Sequence, residues 1–195
     1  MKYLIVGLLV FIGMLPSYGQ QKWKLAKSDQ GIEVYTAEVI NSKYVAFKAT
    51  MLIKTTEQEV FKILKNIQKY PEWLAYTASV SDIQQTEYGQ SFVMETDYPW
   101  PYSNECMKYS MSFQRDENKG MKVNISGTQG HVNCKYTIKK AGGYILLEPD
   151  QDQIRITYYF HSEPSQNIPS FLLNSSIYKM PFQTFLTLKK KLIHF

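Results

Sequence analysis

The stretch "YPWPYSNECMKYSMSF", residues 98–113, decides how this chain is read. It opens with a tryptophan between two prolines and then begins to alternate. Met107, Tyr109, Met111 and Phe113 fall on one parity, and Lys108, Ser110 and Ser112 on the other. A period of two is that of a β-strand with one face out of water. A tightly packed sheet face would normally carry Val, Ile and Leu. Methionine and tyrosine instead suit adaptable, partly polar apolar surfaces. The stretch therefore asks whether the dry face meets a filled core or a cavity.

The alternation extends outward from this strand on both sides. Phe92, Met94, Thr96 and Tyr98 alternate with Val93, Glu95 and Asp97 before it. After it, Met121, Val123 and Ile125 alternate with polar neighbours, as do Val132, Cys134, Tyr136 and Ile138, and then Ile154, Ile156, Tyr158 and Phe160. Breaks fall at Tyr88-Gly89, Pro99 to Pro101, Asn118 to Gly120, Gly127 to Gly130, Gly142-Gly143 and Pro149-Asp150. Short connections of this kind imply an antiparallel meander, wet on one face and dry on the other. Upstream, "GIEVYTAEV" (31–39) and "NSKYVAFKATMLIK" (41–54) read as a hairpin turning at Asn41-Ser42.

Two segments change the period. Thr55-Thr56-Glu57-Gln58-Glu59 is a capping sequence, followed by Val60, Phe61, Ile63, Leu64 and Ile67 at helical spacing. This helix is expected to end before Tyr70-Pro71, because a residue preceding proline avoids the helical region. The second helix spans Pro169 to Ile193, with Asn174, Ile177, Tyr178, Pro181, Phe185, Leu188 and Leu192 on one face. Pro181 is expected to kink it. Hairpin, helix, long antiparallel sheet and long C-terminal helix make an α+β fold.

The first residues, "MKYLIVGLLVFIGMLPSYGQ", carry a basic start, a short apolar run and small residues at Ser17 and Gly19. The pattern reads as a secretory signal peptide over 1–19, cleaved before Gln20. The run is shorter than the roughly 20 residues that span a bilayer, and an uncleaved anchor is the bland alternative. Residues 20–195 then form one exported domain, periplasmic or secreted, large enough for a sizeable core. The net charge of +5 comes from scattered lysines, with one tight cluster at Lys189-Lys190-Lys191. Such a cluster on a helix is ordinarily a solvated face. Nucleic-acid binding would need a basic stripe among exposed aromatics, whereas the aromatics here share the dry parity.

At this level the sequence resembles the START domains (steroidogenic-acute-regulatory-related lipid transfer) of the Bet v 1-like helix-grip superfamily. "GIEVYT", "YPEWL" (70–74), "YPWPYSN" (98–104) and "IPSFLLNSSIYKMPFQTFLTLKKKL" (168–192) carry the resemblance, which runs from Trp23 to about Leu192. It implies a helix-grip fold, a curved antiparallel β-sheet wrapped around the C-terminal helix, with an internal apolar tunnel holding one lipid. Typical members follow the Pro-Trp turn with an Arg-Asp pair, where this chain has Glu105-Cys106. Some sterol-type members place an arginine on the cavity face where this chain has Met111. The tunnel would then lack a buried cation and favour a neutral ligand. A buried Glu105 would need partners, which tunnel tyrosines could supply.

The residues expected to line the tunnel are Met94, Tyr98, Met107, Tyr109, Met111, Val123, Ile125, Tyr136, Ile156, Tyr158, Ile177, Tyr178, Pro181 and Phe185, with Glu105 as the one acid–base group. The gate is placed at the Gly127–Gly130 turn facing the kinked helix. Cys106 and Cys134 fall on opposite parities of strands separated by another, so a bond between them would need a bulge. The alternation favours two separate thiols, although an even count in an exported chain suggests a disulfide. His131-x-x-Cys134 lacks a second ligand pair for a metal, and no nucleophile elbow is present. No cofactor is expected. Asn124-Ile-Ser and Asn174-Ser-Ser match the glycosylation sequon, which matters only in a eukaryotic secretory route.

Three functions follow as expectations. The first is a non-enzymatic, monomeric carrier or sensor of a lipid or other hydrophobic small molecule, with transient membrane-surface contact. The second is a helix-grip enzyme acting on an apolar substrate through Glu105. The third is a solid-core envelope module that docks through its lysine cluster.

Overall fold

The computed structural model describes residues 22–116, 120–128 and 133–193. Nine strands form one antiparallel sheet: β1 (Lys24–Asp29), β2 (Ile32–Ala37), β3 (Ala46–Ile53), β4 (Thr77–Gln85), β5 (Gly89–Thr96), β6 (Glu105–Asp116), β7 (Gly120–Thr128), β8 (Lys140–Asp150) and β9 (Gln153–Glu163). Their spatial order is β1-β2-β3-β9-β8-β7-β6-β5-β4. The predicted hairpin is β2–β3, and β4 to β9 form the predicted meander. The last meander strand returns to pair with β3, which joins the two runs into one curved sheet. The alternation of β6 holds as read: Met107, Tyr109 and Met111 are buried, and Ser110 and Ser112 are exposed.

The first helix, α1 (Glu57–Lys65), starts from the predicted cap. Glu59 N donates to Thr56 Oγ1 at 3.2 Å, and Thr56 N donates back to Glu59 Oε2 at 3.0 Å. The helix ends at Lys65, before Tyr70-Pro71 as expected, but not for the expected reason, since Tyr70 itself is helical. The path breaks at Asn66 and resumes through a 3-10 turn into a short helix α2 (Tyr70–Trp73). Proline is tolerated there because a first-turn N–H has no helical partner to lose.

The C-terminal helix is two helices, α3 (Ser170–Ser176) and α4 (Lys179–Ile193). Pro181 causes the break, but four residues upstream of itself. Its ring excludes the carbonyl of Ile177, and the chain reorients at Ile177-Tyr178. Pro181 then sits harmlessly in the first turn of α4. That helix packs on β2 and β3, burying Phe182, Phe185, Leu188 and Leu192.

Two further expectations fail. Gly142-Gly143 is no turn but lies inside β8, where Gly143 pairs with both Ile125 and Phe160. A Cβ on Gly143 would lie 2.1 Å from the Tyr159 carbonyl oxygen, so the close approach requires glycine. In the alternating segment 132–139, the described residues 133–139 are not a strand of the sheet. Among the described residues its only ladder contact is a parallel bridge between Thr137 and Cys106. Since β7 ends opposite Lys108, this segment covers the bare start of β6, with Cys106 N donating to the Tyr136 carbonyl.

That placement brings Cys134 to Cys106, and the two form a disulfide with Cα atoms 6.1 Å apart. The reading of two separate thiols is therefore corrected. It assumed a full strand between them, whereas the intervening strand stops short.

Candidate functional site

An apolar cavity of about 100 Å³ lies between the dry face of the sheet and the helices. The sheet supplies Met94 (β5), Tyr109 and Met111 (β6), Ile125 (β7), and Ile156 and Tyr158 (β9). Tyr98 reaches in from the β5–β6 loop, and Phe185 from α4. These eight come from the sequence expectation, and the structure brings them together around one space. Three of the wall's side chains are methionines, Met94, Met111 and Met180. Flexible thioethers let the volume change without breaking the sheet.

The other expected residues lie elsewhere. Met107 and Val123 are buried on the correct face but do not line the cavity. Met107 Cε instead lies against the backbone of β7, 3.2 Å from where a Cβ on Gly127 would be. Tyr136 belongs to the covering segment rather than to a strand. Ile177 and Tyr178 occupy the helix break and are half-buried at its rim, and Pro181 is buried in the first turn of α4. Gly127 and Thr128 of the expected gate are within β7, while Gln129 and Gly130, and His131 after them, lie outside the described residues. No group of His, Cys, Asp and Glu among the described residues could hold a metal.

Glu105 is fully buried yet does not line the cavity. Its partners are not tyrosines. The Ser165 and Gln166 backbone N–H groups donate to its carboxylate at 2.9–3.0 Å, joined by Ser165 Oγ and Gln166 Nε2 at 3.0 Å. Gln166 Nε2 also donates to the Ser103 carbonyl at 2.7 Å, and Ser103 N donates back to Gln166 Oε1 at 3.0 Å. A carboxylate so surrounded by donors is a structural clamp between the start of β6 and the loop that leads to α3.

Of the helical part of the wall, the sequence reading named only Phe185. Val60 and Leu64 of α1, Tyr70 and Trp73 of α2, and Met180, Thr184 and Leu188 of α4 all line the cavity. The last three recur every fourth residue, a stripe that sequence alone does not separate from core. Between α2 and β4, residues 74–77 form the outer lip. Ala75 N donates to Thr184 Oγ1 at 3.1 Å, and Asp97 N to the Tyr76 carbonyl at 2.9 Å. Tyr76 is 45% exposed, so this lip is where the wall reaches solvent.

The wall contains no charged side chain. Burial raises the hydroxyl pKa of Tyr70, Tyr98, Tyr109 and Tyr158 above the usual tyrosine range, so all four stay neutral. Tyr70 OH donates to the Leu64 carbonyl at 2.7 Å. Trp73 Nε1 is buried without a hydrogen-bond partner.

An antiparallel sheet gripping a C-terminal helix around an apolar, uncharged hollow is a known arrangement. Superposition finds it in the STAR-related lipid transfer protein of Xanthomonas axonopodis, with a TM-score of 0.80 and 28% identity over 87% of this chain and 98% of that one. The chain has the START-like helix-grip fold. Human StAR-related lipid transfer protein 5 shares it at a TM-score of 0.73 and 16% identity, covering 88% of this chain and 86% of that one. In sequence, an uncharacterized protein of Pseudomonas aeruginosa is 24% identical over 171 residues, 84% of this chain and 83% of its own length. No family model matches the chain. The START-like fold is one that binds hydrophobic ligands.

Proposed function

We propose that the protein is a non-enzymatic carrier or sensor of a lipid-like molecule, held in the cavity between the sheet and α4. The observation that carries this reading is the uncharged wall around an internal space. Burial supplies the affinity. Each CH2 removed from water contributes about 0.8 kcal/mol, so a ten-carbon chain contributes several kcal/mol. The eight sequence-derived wall residues, together with Val60, Leu64, Met180, Thr184 and Leu188, form the binding surface. The ligand passes under the lip at residues 74–77 when it lifts from α4.

The apo-polar chemistry of the wall also speaks against catalysis. Glu105, the acid–base candidate, has its oxygens engaged by Ser165 and Gln166 and lies outside the cavity wall. Docking through the lysine cluster is disfavoured by its bonds within the chain. Lys189 Nζ donates to the Gln30 carbonyl at 2.7 Å, and Lys191 Nζ pairs with Glu72 at 3.1 Å.

The protein works outside the cytoplasm as a monomer, after loss of residues 1–19. The leader pattern and the Cys106–Cys134 disulfide support export, since structural disulfides persist in oxidising compartments. Membrane contact occurs at one end of the molecule. Ile40, Trp100 and Phe171 are 89%, 92% and 70% exposed, on segments linked by the Ser103–Gln166 and Lys43–Asn174 hydrogen bonds. Exposed Trp and Phe suit the bilayer interface.

Organic extraction of gently purified protein, followed by mass spectrometry, tests the carrier reading. A stoichiometric apolar molecule is expected, and it should be lost after delipidation and regained from lipid vesicles. Protein that neither carries nor takes up such a molecule would overturn the reading. Vesicle co-sedimentation that is unchanged in Trp100→Ala would overturn the assigned contact surface.

A further inference from the structure

The apolar cavity is not the only hollow among the described residues. A polar cleft of about 350 Å³ opens between residues 41–44, which lead into β3, and residues 163–167, where β9 ends, with Lys139 completing its lining. That volume is within the range of small-ligand pockets, roughly 300–1,000 Å³. The two walls are tied together. Tyr44 OH donates to the Ile168 carbonyl at 2.9 Å, Val45 N to Asn174 Oδ1 at 3.1 Å, and Asn174 Nδ2 to the Lys43 carbonyl at 3.0 Å. Ser42 N closes a turn on the Val39 carbonyl at 3.1 Å, with Asn41 in the left-handed region at a φ of +62°. A cleft fixed in this way has its shape before anything binds, which lowers the ordering cost of binding.

The cleft is cationic where the cavity wall is uncharged. Lys43 and Lys139 line it against a single carboxylate, Glu163, a formal net charge of +1. Lys43 is exposed, and its ammonium makes one long bond to Asn167 Oδ1 at 3.5 Å while resting over the Tyr44 ring. An ammonium has three hydrogens to donate, so Lys43 keeps donors for an anion. The carboxylate of Glu105 is engaged by the donors of Ser165 and Gln166 and does not line the cleft.

The rim of the cleft indicates where such an anion comes from. Ile40, 89% exposed, precedes Asn41, and Phe171, 70% exposed, follows Asn167 at the start of α3. Large apolar side chains standing together in water mark a surface that is covered in use. When these two enter a bilayer, the cationic cleft between them lies at the depth of the headgroups. A freely dissolved phosphate would make no use of that rim.

We propose that this cleft is a headgroup site, which takes the phosphate of an anionic membrane phospholipid on Lys43 and is separate from the cavity that carries the ligand. It rests on the membrane-contact reading above and adds the class of lipid that the contact selects. The net charge of the lining complements a headgroup of one negative charge, whereas a zwitterionic headgroup brings its own cation toward Lys43.

The test is co-sedimentation at physiological salt, which screens distant charges. Vesicles of phosphatidylcholine alone are compared with vesicles of equal parts phosphatidylcholine and phosphatidylglycerol. The parent should bind the mixed vesicles at a lipid concentration about fivefold lower, the worth of about one lysine at an anionic surface. Lys43→Gln should remove that preference and leave the melting temperature unchanged, because only an exposed side chain is altered. Lys54→Gln makes the same charge change at the other end of β3, on a side chain 79% exposed, and should retain the preference. Glu163→Gln removes the opposing carboxylate and should enlarge it. Soluble glycerol phosphate at the concentration of the lipid should not release the protein. Equal losses in Lys43→Gln and Lys54→Gln, or a smaller preference in Glu163→Gln, overturn the cleft as the headgroup site. Release by glycerol phosphate overturns the membrane as the source of the anion. Equal binding of the parent to both vesicles overturns the cleft while the membrane contact stands. Binding to neither overturns the membrane-contact reading itself.

Discussion

Ala75 and Thr184 are joined across the outer lip of the cavity, the Ala75 N–H donating to Thr184 Oγ1 at 3.1 Å. Thr184 is 1% exposed and lies in α4, while Ala75 precedes β4. This bond pins residues 74–77 to the gripped helix. Thr184→Val keeps shape and removes the acceptor, at a net cost of about 1 kcal/mol. If the lip is the passage, release of a bound fluorescent lipid, followed by stopped flow, should speed up about fivefold, the rate equivalent of that bond. An unchanged release rate would place the passage elsewhere.

The disulfide supplies the next expectation. Cys106 and Cys134 close a loop with a sequence separation of 28. On the chain-entropy view, a loop of this length contributes about 3–4 kcal/mol by restricting the unfolded chain. Cys134→Ser should therefore lower the melting temperature by roughly 6–15 °C for a domain of this size. Reduction of the parent protein should do the same, and should have no effect on the variant.

Glu105→Gln separates a structural clamp from a catalytic acid. An amide presents N–H where Ser165 and Gln166 already donate, so two donors meet face to face. A loss of about 2–4 kcal/mol is expected by urea denaturation, since hydrogen bonds to charged groups are the strong ones. Loss of turnover on an apolar substrate with stability intact would reverse the assignment.

The physical form of each signal decided what could be read from the sequence. The sheet was legible because Met107, Tyr109 and Met111 repeat every second residue and the strands on either side do the same. Half of the expected site was legible for the same reason, since cavity wall and sheet face coincide at Met94, Tyr109, Ile125 and Tyr158. Of the helical wall only Phe185 was. Thr184 and Leu188 lie on a stripe that would look the same against solid core. Glu105 was placed among tyrosines because its partners are mainly backbone N–H groups at Ser165 and Gln166, which leave no pattern in side-chain types. The alternation misplaces Cys134 because residues 132–138 repeat like a strand, while among the described residues only Thr137 bridges to one. Pro181 was recognised as a helix disruptor, but its effect falls at Ile177, the carbonyl that its ring displaces.

His161 gives the molecule a pH dependence. The ring is 6% exposed, and Nε2 lies 3.2 Å from Ser42 Oγ. Burial lowers its pKa below the usual histidine range, more than Glu163 at 3.9 Å raises it, and Lys140 adds to the lowering. With the folded pKa below the unfolded one, the contribution to stability is present above about pH 6.5, the unfolded value. It is lost as pH falls through the folded value. Melting temperature should decline on going from pH 7 toward pH 5, and His161→Gln should flatten that slope. A variant with the parent's slope would assign the dependence to other groups.

Met111 decides whether the opening stretch of sequence faces core or cavity, because its side chain does some of each. It is 3% exposed, and its sulfur lies 3.6 Å from Tyr70 OH and 3.5 Å from Gln90 Nε2, as in a packed interior. It also borders the cavity of about 100 Å³. In a closed core, Met111→Trp would force neighbours off their rotamers and cost about 1–3 kcal/mol. Beside a cavity the indole has space to turn into, so the delipidated variant should melt within a few degrees of the parent. The same indole takes space from a ligand, so retained lipid should fall sharply. Leu147→Trp is the matched control, a residue of 0% exposure on β8 that does not line the cavity. It should lose stability, and any loss of lipid should follow from that. Equal destabilisation of the two variants with lipid retention unchanged in Met111→Trp would mean that β6 faces solid core, and the carrier function would fall with it.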